Sequence, residues 1–128
     1  MKRLLLLISL ILLLIPASKA QNKAVKKEPT GKWLFEAPYA PEGYKAGTIE
    51  IVYSENKYHA SMAFSTAETN FPGGNVKFVN DTLSFTVFIE NQDVAVSLAL
   101  TEETKMVGKA VYSEGIVPLT LIREKKKE

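Results

Sequence analysis

The side chains of this protein that could carry chemistry are few and scattered along the chain. His59 is the only histidine, and a nucleophilic triad or a metal site needs a histidine with oriented partners. Tyr58, Ala60, Met62 and Phe64 share one face of a period-two pattern, which puts His59 on the opposite, outer face. No Gly-x-Ser-x-Gly elbow occurs, and the absence of cysteine excludes disulfides, thiolate catalysis and cysteine metal sites together. Glu102-Glu103, Asp81 and Asp93 fall at turn positions, where carboxylates are ordinarily just solvated. An oxygen-ligand calcium site wants several carboxylates in one loop, and only Glu102-Glu103 approaches that. Asn80-Asp81-Thr82 matches a glycosylation sequon but reads more simply as a tight turn. The expectation is therefore a protein with no enzymatic activity, no metal and no cofactor.

The aromatic residues are more informative. Trp33, Phe35, Tyr53, Tyr58, Phe64, Phe78, Phe85 and Tyr112 all fall on the apolar parity of their segments. Tyrosine combines an apolar body with a hydroxyl that wants a partner when buried, so inward tyrosines suit contact with an amphipathic molecule. Two further tyrosines, Tyr39 and Tyr44, sit in the loop 37–44, which Pro38 and Pro41 restrict and Gly43 leaves one flexible joint.

These residues are positioned by a succession of short strands. The first spans 31–36. The second, 45–53, sets Ile49, Ile51 and Tyr53 against Thr48, Glu50 and Val52, and Asn56 suits the left-handed turn that follows. A third strand covers 58–65, and the loop 66–74 ends in Phe71-Pro72-Gly73-Gly74, a strong turn or bulge signal. The fourth, 75–79, buries Val76 and Phe78. The fifth alternates most clearly, with Leu83, Phe85, Val87 and Ile89 against Thr82, Ser84, Thr86 and Phe88. Asn91-Gln92 turns it into a sixth carrying Val94, Val96, Leu98 and Leu100 inward. The seventh, 104–112, places Met106, Gly108, Ala110 and Tyr112 inward, and the eighth, 116–123, does the same with Val117, Leu119 and Leu121. Hairpin-length turns and no helical period argue for an all-β antiparallel meander. Closing its last strand onto its first removes the exposed edges, which gives an eight-stranded up-and-down β-barrel, with a two-sheet β-sandwich as the alternative.

Two stretches resemble a known family. Gly31-Lys32-Trp33 at the start of the first strand is similar to the Gly-x-Trp signature of lipocalin-type barrels. Met106-Val107-Gly108-Lys109-Ala110 together with Val117-Pro118-Leu119-Thr120-Leu121-Ile122-Arg123 resembles the end of small lipocalin-like modules of exported bacterial proteins. The resemblance implies a barrel whose tryptophan closes one end, with Trp33 and Arg123 stacked on one another. In some of those proteins the module precedes a hydrolase domain, and no such domain follows it in this sequence.

Barrels of eight strands either fill with side chains or hold one small ligand. So many large inward groups favour a mostly filled interior, with a void expected near Gly108 and Ala110, where the wall is thin. Tyr39, Tyr44, Tyr53, Tyr58 and Tyr112 are the expected ligand-binding residues around one mouth. Phe71-Pro72 and the outward Phe88 could extend a contact surface.

The ends of the chain bear on location. Lys2 and Arg3 precede the apolar run 4–15, Pro16 breaks it, and Ser18 and Ala20 fit a signal-peptidase site. Residues 1–20 are thus expected to be a signal peptide, too short in their apolar part for a stable membrane span. A linker with Lys23, Lys26 and Lys27 follows at 21–30, then the barrel at 31–123 and a charged tail at 124–128. Removing Lys2, Arg3 and Lys19 turns the net charge of +2 into thirteen basic against fourteen acidic residues, so no basic patch argues for nucleic acid. The sequence leads to an exported, non-enzymatic protein, periplasmic or extracellular, that holds a small apolar or amphipathic ligand at the barrel mouth. A protein or glycan interaction module working through the loop 37–44 is the alternative; the oligomeric state stays open.

Overall fold

A computed structural model describes residues 28–67 and 69–124. The expected signal peptide lies outside the described residues, as do 21–27 of the linker and 125–128 of the tail.

Nine strands form among the described residues: β1 Gly31–Glu36, β2 Ala46–Ser54, β3 Lys57–Phe64, β4 Asn70–Pro72, β5 Gly74–Val79, β6 Thr82–Ile89, β7 Gln92–Glu102, β8 Lys105–Tyr112 and β9 Gly115–Arg123. They make one sheet in the order β4-β3-β2-β1-β9-β8-β7-β6-β5, every pair antiparallel. A single sheet replaces the sandwich alternative. Its two edge strands follow one another in the chain, so the sheet curls into a nearly closed up-and-down barrel. The count is nine, not the expected eight. Within the loop 66–74, Asn70, Phe71 and Pro72 pair with Ala63, Met62 and Ser61 of β3 and so form a strand of their own.

Gly73 makes the closing corner. Its N–H donates to the Ala60 carbonyl of β3 at 2.7 Å, and the very next residue, Gly74, pairs with Thr86 of β6. A Cβ on Gly73 would lie 3.0 Å from the Phe85 ring and 3.1 Å from the Ala60 oxygen, so a side chain would crowd the crossing. Gly108 is tighter still. A Cβ there would stand 1.8 Å from the Ser97 carbonyl oxygen, which shows how closely β7 and β8 are coiled together. The space beside Gly108 is filled by backbone, so of the two residues expected to border a void only Ala110 does.

The turns follow from residue type. Glu55-Asn56, Asn80-Asp81 and Glu90-Asn91 all have positive φ at both central positions, the geometry of two-residue hairpins whose twist matches the strands. The turn after β6 is therefore made by Glu90 and Asn91, one residue earlier than the sequence suggested, with Gln92 already in strand.

Because direction alternates, the turns sort onto two ends. One end carries the 37–45 loop and the turns at 65–66, 90–91 and 113–114. The other carries the turns at 55–56, 80–81 and 103–104 and both ends of the described chain. The core between them is a continuous apolar cluster that includes Ile49, Ile51, Leu83, Val87, Leu98, Met106 and Leu121, each at 1% exposure or less. Val76 and Phe78 on β5 are only half-buried, since this strand lies where the barrel is least completely closed.

The end that carries the chain termini is plugged. Trp33 is fully buried, and its indole N–H donates to the Pro29 carbonyl at 2.8 Å. The Arg123 guanidinium lies 4.4 Å from the centroid of the Trp33 ring, the stacking that the resemblance implied. Arg123 also donates to three backbone carbonyls: Glu103 at 2.8 Å, Glu28 at 2.7 Å, and Thr30. Pro29 is itself buried, so the packed unit extends two residues before Gly31 into the stretch expected to be linker.

Candidate functional site

The opposite end is open. A recess of about 110 Å³ enters the barrel there. Phe35, Met62, Val117 and Leu119 form its floor, and each points inward because it occupies the core parity of its strand. Phe64 at the end of β3 makes an aromatic wall. It meets Phe35 edge-to-face at 5.7 Å, Tyr44 at 4.8 Å and Phe71 at 5.7 Å. Across from this wall stand Ile89, Val94 and Ala110, where the small alanine side chain leaves the space unfilled.

The loop 37–45 partly roofs the recess. It is held by backbone bonds from Ala37 to the Lys45 carbonyl at 2.7 Å, from Ala40 to Ala37 at 3.0 Å and from Tyr44 to Pro41 at 3.0 Å. The Thr66 hydroxyl adds a bond to the Gly43 carbonyl at 2.9 Å. Ala37 and Ala40 turn down into the core and Tyr39 turns away from it. Pinned at both ends, the loop directs the half-buried Tyr44 over the opening.

Polar groups are confined to the rim. Tyr44 donates its phenol proton to Oε2 of Glu90, on the turn between β6 and β7. In the sheet order, β9 and β8 lie between the β1–β2 and β6–β7 hairpins on one side, so the two connections are four strand spacings apart in a nine-stranded barrel. The Tyr44 to Glu90 bond therefore spans the mouth nearly along a diameter. Donating that bond, together with some desolvation and the neighbouring negative charge, holds the proton and raises the Tyr44 hydroxyl above the ordinary tyrosine value of 10.0. Beside it, Oε1 of Gln92 accepts from the Ser113 hydroxyl at 2.6 Å and the Ser113 N–H at 3.3 Å, which ties the two neighbouring turns together. Tyr112 completes the rim.

The five expected site tyrosines do not share one mouth. Tyr44 and Tyr112 border the recess. Tyr39 is on the same end but 79% exposed, and its ring is directed away from the recess. Tyr53 and Tyr58 flank the turn at 55–56 and so lie at the plugged end, with their rings edge-to-face at 4.8 Å. Tyr58 packs further on Phe78 at 5.6 Å and donates to Glu28 at 3.1 Å. Burial, then the bond to Glu28, raises its hydroxyl above 10.0. A shallow groove between 28–31 and β2 runs beside this pair. The sequence does not mark Glu90 or Gln92 as site residues, because residues at a turn between two strong strands look fully explained by the turn.

His59 lies on the outer wall, its Nε2 3.3 Å from the Ser54 carbonyl. No group of three or more histidine, cysteine or acidic side chains is placed to hold a metal among the described residues. Nor is any described helix long and apolar enough to cross a membrane.

No family model matches the chain, and no curated protein does. Among solved structures, a redesigned β-barrel is similar, with a TM-score of 0.56 over 75% of this chain and 91% of that one. The likeness is one of fold. At 17% identity it carries the nearly closed antiparallel barrel and nothing about chemistry.

Proposed function

We propose that this protein is an exported, lipocalin-type binding protein that takes a small apolar or amphipathic molecule into the recess at its open end, without catalysis. The observation that supports this most is the recess itself: one barrel end is filled by Trp33 while the other, framed by equally apolar strands, is left about 110 Å³ short of filled. Natural cores rarely leave such a space, since packing normally approaches crystal density. An engineered apolar cavity of ~150 Å³ binds benzene, so a ring or short alkyl chain fits here with its polar end between Tyr44 and Tyr112. Export is supported by the pattern of residues 1–20.

Thermal shift and native mass spectrometry with small aromatic and aliphatic compounds test the reading. Compounds of this size are expected to raise Tm and to appear as one-to-one complexes, because a ligand that binds only the folded state stabilises it by mass action. Ala110→Leu fills the recess and is expected to abolish both signals while the protein stays folded. Binding unaffected by Ala110→Leu would place the ligand elsewhere.

A contact role for the loop 37–44 is favoured by one observation, the exposure of Tyr39 beside the mouth. Tyr39→Ala would then reduce recovery of a partner while leaving small-molecule binding intact.

A further inference from the structure

The geometry points to a specific ligand class for this recess: a small molecule with an apolar body and a protonated amine, an alkyl- or arylammonium. The inference rests on the proposed binding function and adds to it the chemistry of the polar end. Its first support is charge. Among the described residues, Glu90 is the one charged residue lining the recess, and no described lysine or arginine lines it. A carboxylate offers about four lone-pair positions on its two oxygens. Tyr44 occupies one, on Oε2, which leaves Oε1 for an incoming N–H donor.

The second support is the wall. Tyr44, Phe64 and Phe35 form an edge-to-face series that begins beside Glu90 and descends into the recess. Aromatic faces within reach of a carboxylate attract a cation from two sides, by the ring quadrupole and by direct charge. The third is the apolar floor of Phe35, Met62 and Leu119, which receives the rest of the molecule but offers no polar atom for a second head group. An anionic ligand of the same shape would bring like charge against Glu90, so carboxylates are selected against.

Three compounds of one shape decide it: benzylammonium, benzyl alcohol and benzoate, titrated calorimetrically near neutral pH into the purified protein. Benzylammonium is expected to bind about tenfold tighter than the alcohol, as one charge-assisted contact supplies, with benzoate weakest. Glu90→Gln should bring the amine and the alcohol to equal affinity without weakening the alcohol. Tyr44→Phe removes the bond across the mouth but keeps the carboxylate, and should retain the preference for the amine, which separates recognition by Glu90 from loss of the bridge. Equal affinity for alcohol and amine in the unaltered protein, or a preference that survives Glu90→Gln, overturns the amine assignment and leaves the recess as a neutral binding site. Binding of none of the three would sink the recess reading itself, and the amine with it.

Discussion

The two ends of this barrel share one continuous sheet and reach opposite results. At the end where the described chain starts and finishes, a large ring is buried completely, its one polar atom is satisfied by the Pro29 carbonyl, and Arg123 covers it while bonding to three carbonyls. At the other end small residues, Ala37, Ala40 and Ala110, stand where a second large group would be needed, and the polar atoms gather at the rim. A strand sheet alone does not decide whether a small barrel is solid or hollow. The size of a handful of side chains at each end does, and so does whether their polar atoms find backbone partners.

The sharpest way to break this comparison is Trp33→Ala. Truncating a fully buried aromatic should cost ~3 to 5 kcal/mol in denaturant unfolding. A similar loss for a rim aromatic such as Tyr112 would mean that both ends are plugs. Next comes Arg123→Ala, which removes the stack on Trp33 and leaves three carbonyls without this donor; about 1 to 3 kcal/mol is expected. Arg123→Lys should recover only part of it, because a single ammonium cannot reproduce the fork. Smallest is Tyr44→Phe, whose bond to Glu90 is exposed and should change stability by less than ~0.5 kcal/mol.

Tyr44→Phe has a clearer signature in pH. Folding raises the Tyr44 hydroxyl above 10.0, so whatever stability the bond contributes is present below that pH and fades as pH rises through the folded value. Ultraviolet titration of the folded protein should show Tyr44 and Tyr58 ionising later than an ordinary tyrosine. Glu90→Gln should lower Tyr44 and leave Tyr58 in place; movement of both would contradict their placement at opposite ends.

Much of the fold is legible in the sequence where alternation is strong. The 82–89 and 94–100 segments are buried at the residues their period selects, except that Ile89 and Val94 at the open end are half-buried, and Asn56 and Asn80-Asp81 turn as their types require. Strand β4 escaped because it is three residues long, contains a proline, and exists through pairing with Ser61 to Ala63, a long-range contact with no local pattern. The site is only half legible. Tyr44 and Tyr112 stand out as amphipathic residues, but grouping them with Tyr53 and Tyr58 overlooks a consequence of an up-and-down chain, that successive turns lie at alternate ends. Counting turns from the loop 37–44 puts residues 90–92 at the same end as that loop and 55–56 at the other. Glu90 is reached by that count, and no composition or motif announces it.

The clasp of Arg123 on the first residues of the folded chain also sets how the molecule yields to force. β1 and β9 are antiparallel neighbours, so the first residues of β1 and the last of β9 lie at the same end of the barrel. A pull on the two termini therefore loads the ladder from one end, bond after bond, instead of shearing all its bonds together. Arg123, together with the bond from the Glu124 N–H to the Lys32 carbonyl, fastens the start of that line. Once it releases Glu28 and Thr30, the seam from Trp33 to Glu36 opens like a zipper, and the barrel loses the join between its first and last strands before its hairpins are strained.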